Sequence, residues 1–148
     1  GADLESADLY RADLFKAILE DVDLQDTNLD QPDLRKAILI KADLRGANLF
    51  RARMQGADLS EADFYRADLE KSDLSDANLY KADLRESNLH GVNLEGANLQ
   101  GADLEGANLF EADLTEANLE GLSLERTNLE SAKFLKTIMP DGHLHTRQ

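Results

Sequence analysis

The sequence predicts an all-β solenoid, and three observations carry that prediction. A five-residue phrase, Ala-Asp/Asn-Leu and two variable residues, runs in register from Ala2-Asp3-Leu4 to Ala132-Lys133-Phe134, twenty-seven times without insertion or deletion. Its central residue is Leu in all but three phrases, where Met54, Phe64 and Phe134 stand instead. A period of five fits neither the helix at 3.6 nor the flat strand at 2, and a fixed period of another length means stacked units that cannot bury their apolar faces alone.

Within a phrase, Ala and Leu lie two residues apart and in extended backbone point the same way, while the Asp or Asn between them points the other way. The two remaining positions hold Glu, Lys, Arg, Gln, Ser and Gly, which suit solvent and turns. Each phrase is therefore a very short strand with one small and one large residue inward, followed by a bend. A bend every five residues winds the chain into a solenoid.

Composition agrees with a thin, uniform core. The 148 residues include eight aromatics, no Trp and no Cys, with much of the 42% hydrophobic share supplied by repeat Ala and Leu. Thiolate and disulfide chemistry is thus excluded. The formal net charge of −14 argues against nucleic acid or an anionic membrane as a direct ligand, since both want a basic surface. No apolar run approaches the length of a membrane helix. The chain divides into one repeat domain, 1–136, and a degenerate last repeat with a tail, 137–148, where Pro140-Asp141-Gly142 marks a turn. It opens in mid-phrase, which leads us to expect a segment upstream. The cytoplasm is the default compartment, with the thylakoid lumen or periplasm as alternatives should a signal segment have been removed.

The run of A-D-L-x-x and A-N-L-x-x over about nine-tenths of the chain resembles the pentapeptide-repeat family. The resemblance implies a right-handed quadrilateral parallel β-helix with four phrases to a coil and nearly seven coils, a rod about 33 Å long at roughly 4.7–4.9 Å per coil. The Thr-Ile-Met-Pro-Asp-Gly ending looks like that of many cyanobacterial members. On this geometry Pro32, lacking an N–H at an inward small position, should cost one bond between coils. Val22, Val92 and Leu122, oversized for the Ala site, should widen the coil locally.

Residues twenty apart then stack, and the sequence becomes a surface map. The first face carries a column of six aspartates, Asp3, Asp23, Asp43, Asp63, Asp83 and Asp103, whose mutual repulsion should raise some of their pKa values. The alternative is that Asp is the consensus because its oxygens bond the adjacent turn. A calcium ladder would need six to eight converging oxygens, which a flat column does not supply. On the fourth face Ile18 and Ile38 hold the outward position, with Ile40 and Phe15 nearby, a candidate contact patch. Asn78, Asn98 and Asn118 on that face, and Asn88, Asn108 and Asn128 on the second, are placed to form amide ladders. Tyr10, Phe50 and Phe110 share a second-face column but lie too far apart for one patch. Between Arg85 and Arg126 there is no Lys or Arg, and nine acids, among them Glu105, Glu111 and Glu116, form a belt.

No nucleophile–base pair, phosphate loop or cofactor motif can be pointed to; His90 sits at an exposed variable position, and His143-Leu144-His145 on a mobile tail is weak evidence for a metal. The expected protein is a non-enzymatic acidic rod acting as a protein-interaction module, without catalytic residues, cofactor or metal. Its partner would be a basic protein surface on the belt, with neither direct nucleic-acid nor membrane contact. A homodimer through the N-terminal coil or the Ile patch is a further expectation. The alternative rests on the resemblance: some members resemble duplex DNA, bind type II topoisomerase and confer fluoroquinolone resistance, though those dimerise through a C-terminal helix and several carry loops absent here.

Overall fold

Backbone pairing advances in steps of twenty residues. In the computed structural model, which describes residues 2–146, each outward residue from Asp3 to Asn118 forms a parallel bridge with the residue twenty ahead, Asp103 alone excepted. Four phrases therefore make one coil of a right-handed quadrilateral β-helix. The four faces carry the columns that begin at Asp3, Asp8, Asp13 and Ile18. No helix occurs among the described residues.

A regular phrase makes four backbone bonds. Leu4 N–H donates to Asp23 O at 2.8 Å and Ser6 N–H to Gln25 O at 2.8 Å, both toward the next coil; Asp23 N–H donates back to Ala2 O at 2.9 Å; and Ala7 N–H closes the corner on Leu4 O at 3.0 Å. The last residue of every phrase from Ser6 to Lys136 has positive φ, between 51° and 77°. Seven of these corner residues are Gly; the rest are chiefly Lys, Arg, Asp and Glu, which accept a left-handed conformation costing roughly 1–2 kcal/mol each.

The interior is a continuous column of Leu and Ala. From Leu24 to Leu119 the inward large residues are no more than 1% exposed, and Met54 and Phe64 take the Leu position at 0%. Polar residues at the small inward position satisfy themselves on the backbone. The Thr27 hydroxyl donates to Leu4 O and that of Thr137 to Leu114 O, while Ser72 and Ser87 donate to Leu69 O and Leu84 O. Leu4, Leu9, Leu14 and Leu19 of the first coil are only partly buried, so the core is open at that end.

Two expectations about weak points change. Pro32 leaves the inter-coil ladder whole, because its carbonyl still accepts from Arg53 N–H at 3.0 Å. The small inward position donates inside its own corner, so the bond removed is the one to Leu29 O. Val92 is accommodated with its ladder intact, Asn93 donating to Ser72 O and Leu94 to Asp113 O. Val22 likewise keeps both inter-coil bonds around it, from Asp23 and Leu24. The coil opens beside Leu122: the bridge from Asp103 to Ser123 is missing, as are the bonds that Gly101, Leu104, Gly106 and Ser123 would donate there. One methylene more than Val at the Ala site exceeds what the wall can absorb.

Beyond Phe134 the phrase persists in shape. Thr137 is buried, Ile138 bridges Asn118, and Met139 takes the large position. Strand β1, Thr137–Ile138, also pairs antiparallel with β2, Leu144–His145, and the His145 ring meets Phe134 edge-on at 6.1 Å. On this tail His143 lies 3.2 Å from Asp141 and His145 beside Phe134.

The break at Leu122 should be visible by amide exchange: Leu104 and Ser123 will exchange faster than Leu84 and Asp103, one coil earlier on the same face. Leu122→Ala should protect them, while Phe64→Ala should cost about 3–5 kcal/mol in denaturant unfolding.

Candidate interaction surfaces

The outward Asp or Asn of each phrase has a structural task. Its Oδ1 accepts the backbone N–H two residues on, as in Asp23 with Gln25 at 3.1 Å, Asp63 with Tyr65 at 2.9 Å and Asn98 with Gln100 at 3.1 Å. This Asx contact fixes the corner that follows and accounts for the consensus on every face. Asn amides add a second bond along the rod: Asn98 Nδ2 donates to Asn78 Oδ1 at 3.2 Å and Asn128 to Asn108 at 3.0 Å.

The six aspartates of the first face do not form a bare anionic stripe. Arg45 grips Asp43 through two nitrogens and reaches Asp63 at 3.7 Å; Arg85 does the same to Asp83 and Asp103. The expected rise in pKa is therefore reversed at two of them. The Arg45 hydrogen bonds hold Asp43 below the usual carboxylate range. At Asp83 burial pushes upward, and the Arg85 contacts more than offset it. Asp3, Glu5 and Asp23 bring carboxylate oxygens within 4.8 Å of one another at the exposed N-terminal end, three donors where a hard cation takes six to eight.

The acidic belt is likewise partly compensated, by cations reaching in from the neighbouring coils. Glu105 meets Arg126 at 3.0 Å, Glu116 meets Lys136 at 2.8 Å, Glu86 meets Arg66 at 2.8 Å and Asp113 meets Lys133 at 3.2 Å. Glu111 lies 3.6 Å from His90 Nε2. Glu105, Glu111 and Glu116 sit on or beside different faces, so the belt encircles the rod. A depression of about 300 Å³ on the first face is lined by Arg45, Arg85 and Arg126 and by Asp63, Glu86 and Glu105, an even match of charge. On the fourth face Ile18 is 73% exposed, while Ile38 and Ile40 are half-buried.

Sequence comparison agrees with the coil geometry. Five segments, 1–31, 33–66, 62–101, 87–121 and 107–141, match the family model for pentapeptide repeats. The chain belongs to the pentapeptide-repeat family. Among solved structures it is similar to a pentapeptide repeat protein from the Arabidopsis thaliana thylakoid lumen, with 34% identity and a TM-score of 0.67 over 68% of this chain and 70% of that one. It also matches HetL, a pentapeptide repeat protein involved in heterocyst differentiation regulation in the cyanobacterium Nostoc, at 36% identity over 97% of this chain and 75% of that one, with a TM-score of 0.43. QnrB1, a plasmid-mediated fluoroquinolone resistance protein, shares the fold at 16% identity, with a TM-score of 0.57 over 88% of this chain and 83% of that one. No curated protein sequence matches.

Sequence reasoning passed over one recurrent surface unit of this pentapeptide-repeat protein. Five aromatics that follow the inward large residue are each succeeded by a cation: Tyr10-Arg11, Phe15-Lys16, Phe50-Arg51, Tyr65-Arg66 and Tyr80-Lys81. In every pair the cation lies 5.0–5.1 Å from the ring centroid. The dipeptides were legible; that a left-handed corner would fold the second side chain over the first was not. The sixth aromatic at this position, Phe110, packs instead on His90 at 5.4 Å, and His90 is half-buried beside Glu70 and Glu111 rather than exposed.

On the third face the Arg35 hydrogen bonds, helped by Arg53, hold Asp33 down at about 2, below its ordinary 3.8. Because that value is lowered, the stabilisation is complete above the ordinary value and disappears as pH falls through the folded one. Melting temperature should drop between about pH 4 and pH 2, and Arg35→Gln should flatten that limb. Carboxyl NMR should place the Asp33 midpoint near the lower end of this range.

Proposed function

We propose that this protein is a non-enzymatic interaction module, a rigid rod that offers charged faces to another protein. The observation that supports it is the filled interior: from the second to the sixth coil every inward position is apolar or bonded to backbone, so all free chemistry lies on flat outer walls. Catalysis wants a concave site with unlike groups converging and little water. The depression on the first face is open, and its arginines are engaged with carboxylates.

The proposed partner presents a basic surface to the belt around Glu105, Glu111 and Glu116. The ion pairs in place there do not prevent this, because exposed pairs are worth about 0–1 kcal/mol and are readily exchanged for a partner's cations. The Ile18, Ile38 and Ile40 strip is proposed as a second contact, where a homodimer would also form. DNA mimicry has the overall acidity in its favour, but Arg45 and Arg85 interrupt the one long aspartate column, and the protein-binding reading is preferred.

The belt is tested by parallel affinity capture with the wild type and with a Glu105→Lys/Glu111→Lys/Glu116→Lys variant. Proteins held by the wild type, released by moderate salt and lost from the variant support the reading; identical captures overturn it. Ile18→Asp should weaken only the second contact, and analytical ultracentrifugation of that variant tests whether the strip also joins two copies.

A further inference from the structure

Most cations of this acidic chain are spoken for. Ten of the described Lys and Arg side chains lie within 4.0 Å of a carboxylate, from Arg35 with Asp33 to Lys136 with Glu116. Five have no carboxylate at that distance among the described residues: Arg11, Lys16, Lys36, Arg51 and Lys81. Four of these five frame one wall. Arg11 and Arg51 stand on the corner that leads into the third face, and Lys16 and Lys36 on the corner that leads out of it, all within the first three coils. Between them Arg35 and Arg53 share Asp33; with Asp13 on the same column and Asp30 on the entry corner, this stretch of wall sets six cations against three carboxylates.

The same end of the rod carries three of the five exposed large apolar side chains among the described residues, the others being Tyr80 and Leu144. Tyr10 is 48% exposed and Phe15 45%, and both belong to the corners of this wall, with Ile18 beyond them. Arg11 and Lys16 lie over the Tyr10 and Phe15 rings, so apolar surface and free cation are presented together. A large aromatic left in water beside an unpaired cation is a surface suited to a partner that brings both an apolar group and a carboxylate.

We propose that the N-terminal half of the third face is a docking surface for an acidic polypeptide segment carrying apolar residues, distinct from the belt and of opposite polarity. Charge complementarity selects that occupant. A nucleic-acid backbone is the other anionic candidate, but its evenly spaced phosphates would lie along the central column, where Asp13, Asp33 and Asp73 recur. A polypeptide can place a few carboxylates at the corners and leave the column alone. A second copy of this chain would bring its own net charge of −14 against the same charge.

The test is fluorescence anisotropy with a labelled twelve-residue peptide of repeating Glu-Glu-Leu, run on the full chain at low and moderate salt. The wild type should bind, more weakly as salt rises. Arg11→Glu/Lys36→Glu should weaken binding by about tenfold or more, and Phe15→Ser by several-fold. Lys133→Glu/Lys136→Glu at the far end should change it little, as should the belt triple variant, so this surface and the belt fail separately. Circular dichroism verifies that the variants remain folded. Absence of binding by the wild type overturns the proposal, as does equal binding of an all-Glu twelve-mer, which would remove the apolar part. Equal binding of a twelve-nucleotide single strand with the same residue dependence would assign the wall to nucleic acid instead. A dimer in sedimentation that Arg11→Glu/Lys36→Glu dissociates would assign it to a second copy.

Discussion

Everything in this rod depends on the corner that closes each phrase. The chain must turn through about a right angle every five residues, and it does so by placing the fifth in a left-handed conformation, whatever that residue is. The roughly 1–2 kcal/mol that a non-Gly residue spends there is set against a Leu taken out of water in the same phrase, worth about 1.5–3 kcal/mol. The Asx bond from the outward Asp or Asn aids the same turn. The consensus is thus a set of coupled requirements: Leu supplies the driving force, Ala leaves room for the turn to close, and Asp or Asn steers the backbone into it. Leu122 shows the margin: Val is accommodated at the Ala site at positions 22 and 92, and the pairing between adjacent coils is lost beside Leu.

Architecture was legible in the residues for that reason. Alternation within the phrase located the inward and outward positions, and the family resemblance supplied the four-phrase coil on which the bridge pattern from Asp3 to Asn118 agrees. The hand of the corner was not legible, because Lys, Arg, Asp and Glu fill most of those positions and none advertises positive φ as Gly would. The fate of Pro32 was missed for a related reason. Which neighbour a backbone N–H addresses depends on its place around the corner, and residue identity carries no record of it.

The surface was harder to foresee than the core. Columns were assigned correctly, so Asp43 and Asp83 do stack where the step of twenty puts them, yet their charge state was not. Arg45 and Arg85 lie two residues after those aspartates, on the same wall, and turn a repelling series into an alternating one. Counting formal charge along the chain likewise made the belt look barer than it is, since Arg126, Lys133 and Lys136 arrive from one coil beyond. In a solenoid, electrostatic neighbours are set by the coil step, and only side-chain placement tells which of them meet.

The step of twenty also makes angle a quantity this chain can encode. Removing one phrase would keep the core continuous but rotate every wall beyond the cut by a quarter turn relative to those before it. Removing four would shorten the rod by one storey and leave all walls aligned. The cationic wall near Arg11 and the acids around Glu105 thus keep both a height and a bearing relative to each other, and their phase is set by how many phrases lie between them.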